Sequence, residues 1–169
     1  VNPQHVRAFA TPAELEHWLS AHHGSANELW LKIFKRASGE PTVTYREAVE
    51  VALCWGWIDG LKKSLDERAF VQRFTPRRAR SIWSQINVKN VARLMREGRM
   101  TQAGLKEAEK AKADGRWARA YASGQAMTIP DDLKAAIEAE PKARAMLEAA
   151  AARRWSVSKV KRPVKSARL

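Results

Sequence analysis

Large apolar residues recur along this chain with two different periods. Residues 28–36 read ELWLKIFKR, in which Leu29, Leu31 and Ile33 alternate with Trp30, Lys32 and Phe34. Both faces carry large apolar groups, so the segment is expected to be a strand well inside a sheet. The two-residue period returns after Gly56. Trp57, Asp59, Leu61 and Lys63 are expected on one strand face, and Ile58, Gly60 and Lys62 on the other. Ser64 to Arg68 reads as a hairpin loop. The return strand runs from Ala69 to Thr75 and is ended by Pro76. A loop centred on Asp66 would set Asp59 opposite Arg73, a pairing that one residue of slip would destroy.

The helical period appears elsewhere. Thr11, Pro12 and Glu14 make a capping box ahead of Leu15, Trp18 and Leu19. Ser38 to Pro41 is a turn. Thr44 and Glu47 form a second capping box, opening a helix through Val49, Ala52 and Leu53 that Gly56 closes. From Asn87 the stripe Val88, Val91, Ala92, Met95 predicts a helix that ends at Gly98. Thr101 caps another, running to Asp114 and Gly115. Pro130 and Pro141 each mark the start of a short Ala-rich helix, 131–140 and 142–152. These elements predict an α+β domain over 1–125, with an antiparallel sheet flanked by helices. A helical C-terminal extension follows over 126–169, and its basic tail is expected to be loosely held.

Composition changes this picture mainly through charge. The 169 residues carry a formal net charge of +13, which calls for anionic partners such as nucleic acid, a phosphorylated small molecule or acidic headgroups. The charge is uneven. Residues 60–99 hold 11 basic against 3 acidic residues, and 153–169 hold 7 basic and no acid, whereas 1–59 is slightly acidic. Cys54 is the single cysteine; it has no intramolecular disulfide partner and lies in an apolar helical stretch, where a buried, inert thiol is expected. The four histidines lack zinc-ligand spacing, and no cofactor is expected. No apolar run approaches a membrane span and no secretory h-region is visible, so a cytoplasmic location is expected. Oligomeric state is not readable.

Candidate chemistry concentrates in residues 72–87, QRFTPRRARSIWSQIN. Arg73, Arg77, Arg78 and Arg80 are interleaved with Phe74 and Trp83, and Ser81 adds a hydroxyl. Guanidinium forks grip phosphate or carboxylate, aromatic faces stack on bases, and amides at a helix start complete an anion cradle. Lys62, Trp57 and Asp59 extend this candidate ligand surface. The structural alternative is that the aromatics are core, Arg73 pairs with Asp59 and the other arginines are merely solvated. Trp55 and Trp57 at a helix-to-strand corner are more simply packing residues. Asp59, an acid in an otherwise apolar or basic strand, needs a basic partner, Arg73 or Lys62. A second class of reading is an enzyme with a small pocket around Trp55, Trp57, Asp59 and Arg73. No paired carboxylate, nucleophile elbow or phosphate-binding loop motif supports a named reaction.

The segments GWIDG, RFTPRR and SIWS, with ELWLKIFKR and EAEKAKADGRW around them, resemble the bacterial YdeI/OmpD-associated family, also labelled bacteriocin-protection proteins. The resemblance spans roughly residues 9 to 150. It implies a YjbR/CyaY-like α+β sandwich and an association with antimicrobial-peptide resistance and porins, and it brings no catalytic residues with it. An envelope-associated interaction protein is therefore a third reading. The closing segment VSKVKRPVKSARL departs from the family pattern. A protein at +13 repels cationic peptides, so any protection it gave would be indirect.

Overall fold

The structure is a computed structural model that describes residues 5–122, 131–146 and 148–149. The chain divides into two compact units, 1–125 and 126–169. Among the described residues of the first, four strands and four α-helices follow the order β1 (Val6–Ala8), α1 (Pro12–His22), β2 (Leu29–Phe34), α2 (Tyr45–Cys54), β3 (Trp57–Ser64), β4 (Ala69–Pro76), α3 (Gln85–Arg96) and α4 (Gln102–Ala113). In the second, α5 covers Asp131–Ala139 and further helical residues lie within 141–149. The expected loose tail, 153–169, lies outside the described residues.

The fold is α+β, and its sheet is mixed. Strand order is β1-β2-β4-β3; β2, β4 and β3 are antiparallel neighbours, but β1 runs parallel to β2. The three strands expected from sequence are antiparallel neighbours as expected; β1, which was not expected, adds a parallel edge, with α1 as the crossover that parallel strands require. As expected, β2 is interior. Leu29, Leu31 and Ile33 face the main core together with Phe74 of β4, while Trp30, Lys32 and Phe34 face the other way. On that second face Lys63 lies over the Trp30 ring and Lys32 over Phe34, covering aromatic surface with lysine stems.

Helix α2 is the centre of the core. Seven consecutive residues, Ala48 to Cys54, are buried, and the helix packs on α1, α3, α4 and β3. Its start is the full capping box expected: Thr44 accepts from the Glu47 amide, and Glu47 accepts from the Thr44 amide. At α1 the box is displaced by one residue, because Glu14 accepts from Ala10 N–H instead of Thr11. α4 approaches α2 closely at Gly104, where a Cβ would stand 2.3 Å from the Cys54 carbonyl oxygen. Thr101 donates to that same carbonyl at 2.6 Å. Cys54 is buried as expected, and burial pushes its thiol up to about 11. Helix α3 begins earlier than expected, at Gln85, with Ser84 as its cap. Its buried residues are Val91 and Leu94; Met95 is exposed, so the buried stripe is rotated from the expected one.

The β3–β4 hairpin holds the main correction. Ser64 faces Phe70, so the turn is centred on Glu67 rather than Asp66. A bulge between Asp59 and Lys62 then adds one residue to β3, and Asp59 falls opposite Phe74 rather than Arg73. The bulge also moves Lys62 onto the face of Asp59 and Lys63 onto the opposite face, reversing the expected alternation for both.

Candidate functional site

The charged residues of the hairpin are sorted by this register. Arg73 faces Trp30 across the sheet and bonds Glu28 at 2.8 Å, with His5 on the other carboxylate oxygen at 3.0 Å. These two partners hold the Glu28 carboxyl below the usual range, His5 contributing first. The expected Asp59–Arg73 pair is not formed. Lys62 does not bond Asp59 either; its ammonium lies 4.0 Å from the Phe70 ring centroid. Asp59 instead accepts a 2.6 Å hydrogen bond from the Tyr45 hydroxyl, at the first turn of α2. Burial first, and then Asp59, raise the Tyr45 phenol above its ordinary range, so it stays a neutral donor.

Tyr45 and Asp59 form one wall of a pocket of about 370 Å³. The other wall comes from the start of α3, where Ser84, Ile86, Asn87 and Asn90 line it, and from Tyr121. Tyr121 is held by its backbone. It donates to the Trp83 carbonyl at 3.0 Å and accepts from Gln85 at 2.9 Å, which leaves its ring half exposed at the rim.

The same ribbon, residues 114–121 laid along 81–85, shapes a second concavity. Arg116 donates to the Ser81 carbonyl at 2.8 Å and pairs with Asp114 at 2.7 Å, holding that carboxyl below its usual range. Arg119 donates to the Asp114 carbonyl at 3.2 Å. With Arg80, Ile82 and Ala79 these residues line an open cleft of about 390 Å³. Arg80 is exposed and makes no hydrogen bond or ion pair among the described residues. Ser81 closes the loop by accepting from the Arg78 amide at 3.0 Å.

Arg77 takes a different role. It is buried, with its guanidinium 3.5 Å from the Trp83 ring centroid, and Trp117 tilts against the same indole at 4.9 Å. Stacking a desolvated guanidinium on tryptophan stabilises by about 2 kcal/mol. Its Nε and Nη2 have no partner among the described residues. Burial pulls its pKa down to about 10, with Asp59 and Glu107 acting in the other direction, so it remains a cation at neutral pH.

The expected ligand surface is therefore split. Trp57, Phe74 and Trp83 are core residues and present no face to a base. Trp57 spends its indole N–H on the His23 carbonyl, and Trp55 is half-buried against His23. Asp59 lines the pocket, Arg80 lines the cleft, and Arg78 is exposed beside it. Trp55, Trp57 and Arg73 do not join Asp59 in the small pocket considered from sequence. Asn87 lay at the end of the candidate 72–87 segment, whereas Tyr45, Asn90, Tyr121, Arg116 and Arg119 were not singled out by sequence. The signal for part of this set was available, since Ser84, Asn87 and Asn90 stand three residues apart on one helix face.

Among the described residues, no group of three His, Cys, Asp or Glu side chains is placed to hold a metal ion. No described helix is long and apolar enough to cross a membrane. The sequence pattern of the family described as Domain of unknown function (DUF8412) matches residues 7–107. The chain belongs to the DUF8412 family. The DUF8412 match includes Tyr45, Asp59, Arg80 and the α3 start, and ends before Asp114, Arg116 and Arg119. No curated protein and no solved structure matches the chain.

Proposed function

We propose that this protein binds a small phosphorylated or polycarboxylate ligand in the cleft between Arg80, Arg116 and Arg119, in a cytoplasmic setting. The observation that carries this reading is the lining itself. Three guanidinium groups meet one carboxylate, and Arg80 is uncommitted among the described residues. Asp114 and the Ser81 carbonyl fix Arg116, so one fork is already oriented before a ligand arrives. The cleft, at about 390 Å³, matches a metabolite-sized anion. A small anion is favoured over single-stranded nucleic acid because Phe74 and Trp83, the aromatic platforms such strands need, are buried. The GWIDG, RFTPRR and SIWS segments support the further proposal of kinship with the YdeI/OmpD-associated proteins; the cleft reading does not depend on it.

Calorimetric titration with inorganic pyrophosphate tests this. The full chain should bind it, and Arg80→Ala with Arg119→Ala should weaken binding by tenfold or more without loss of thermal stability. Each charge-assisted bond removed is worth about 1.5–3 kcal/mol. A chain lacking 153–169 is the control, since those residues carry 7 basic groups. Loss of binding with that deletion, and none with the double substitution, would reject the cleft. A single-stranded oligonucleotide should bind less selectively, its log K falling with log salt by about 0.7 per phosphate neutralised.

A further inference from the structure

The pocket around Tyr45 and Asp59 has a different chemical character from the arginine cleft. Its lining holds one carboxylate, Asp59, and one guanidinium, Arg46; the other lining side chains are neutral. Arg46 is turned toward Glu50, which it meets at 3.3 Å. A net-neutral wall gives no Coulombic preference for an anion or a cation. The first turns of α2 and α3 both contribute to it, and their partial positive charge offsets the pull of the Asp59 carboxylate on a cation.

What the wall offers is mixed hydrogen bonding beside apolar surface. The Asp59 Oδ2 atom is occupied by Tyr45, and Oδ1 has no partner among the described residues. The carboxamides of Asn87 and Asn90 each supply a donor and an acceptor on the facing helix. Tyr45, Ile86 and Tyr121 are each about half exposed, at 45%, 51% and 51%. These three large apolar side chains left open to water surround polar groups that can both give and take hydrogen bonds. Vicinal hydroxyls are matched by a carboxylate oxygen and paired carboxamides. The C–H face of a sugar ring is matched by a phenol ring at the rim.

From this juxtaposition we infer that the Tyr45–Asp59–Asn87–Asn90–Tyr121 pocket is a second, separate binding site for a neutral polyhydroxylated ring, such as a pyranose. The Tyr45 hydrogen bond fixes the carboxylate, Asn87 and Asn90 read hydroxyls, and Tyr121 covers the ring. The pocket's volume of about 370 Å³ accommodates one or two sugar units.

The experiment is a ¹⁵N-resolved NMR titration of the full chain, following the side-chain amides of Asn87 and Asn90. The probes are methyl α-glucopyranoside, methyl β-galactopyranoside and maltotriose, with choline chloride and inorganic phosphate as charged comparators. Saturable shifts of both carboxamides with at least one neutral probe are expected. A stronger response to maltotriose than to the monosaccharides would assign the end of a glycan chain, and an equal response would assign a free sugar. Asn90→Ala should weaken binding by about five-fold, the factor for one lost hydrogen bond. Tyr121→Ala should also weaken it, and the Tyr121 backbone bonds preserve the local fold. Arg80→Ala should leave sugar binding unchanged, so failure here and failure of the anion cleft are distinguishable. Shifts with choline or phosphate alone, or no shift with any probe at tens of millimolar, would overturn the inference. The wild-type titration decides even if a variant does not fold.

Discussion

At the scale of single residues, Asp59 shows how much a partner assignment depends on register. Its need for a partner is legible from sequence, because an acid in an apolar and basic strand is costly alone. The partner is not, because Tyr45 lies 14 residues away on another element and was visible only as a helix-start residue. A double-mutant cycle between Tyr45→Phe and Asp59→Asn should show coupling of about 1 kcal/mol, reduced from a fully buried charged bond by the open rim. The same cycle between Asp59 and Arg73 should be additive within about 0.5 kcal/mol. The raised Tyr45 phenol adds a pH test. Its contribution is fully present below the ordinary tyrosine value of 10.0 and is lost as pH rises through the higher folded value. Denaturant melts above pH 10 should therefore fall more steeply for the wild type than for Tyr45→Phe, which cannot ionise. Identical alkaline limbs would show that the phenol is not held by the fold.

At the scale of elements, α2, β2 and β4 were legible because each has a period and a punctuation mark: a capping box, an alternation, or Pro76. β1 was not, since three residues, Val6 to Ala8, carry no period and pair only after α1 has crossed over. The bulge in β3 did leave a signal, Gly60 inside an alternating strand, a position that often marks a bulge. Element contacts also set the tightest constraint in the core. Gly104 lets α4 lie against the end of α2, and a methyl group there would meet the Cys54 carbonyl at 2.3 Å. Gly104→Ala should destabilise by about 1–3 kcal/mol or more through overpacking, measured by urea melts. Glu50 joins the same assembly electrostatically. It is buried on α2 and reaches Arg93 of α3 at 2.7 Å and Arg99 beyond it at 3.4 Å. A melt unchanged by Gly104→Ala would mean that α4 can shift away without cost.

At the scale of the whole molecule, net charge sets the expectation of an anionic partner but does not say where one would settle. The basic excess of 60–99 is dispersed by the fold. Arg73 is neutralised by Glu28, Arg77 is sunk onto Trp83, Arg93 is paired with Glu50, and Lys62 and Lys63 lie over rings on opposite faces of the sheet. Among the described residues, Arg80 combines with Asp114, Arg116 and Arg119 from beyond α4 to line a cleft, and that convergence is tertiary. The irregular pairing in β3 has one more consequence. This strand is one of the two edges of the sheet, and from Gly60 to Ser64 it is exposed. A flat edge of that length would template a strand from another copy, and aggregation would follow. The extra residue twists the edge, and the two lysines place like charges where a second strand would have to dock. Lys62→Thr with Lys63→Val should therefore raise light scattering on mild heating faster than it lowers the melting temperature. Lys62, placed by sequence on a candidate ligand surface, would then owe its charge to keeping copies of this chain apart.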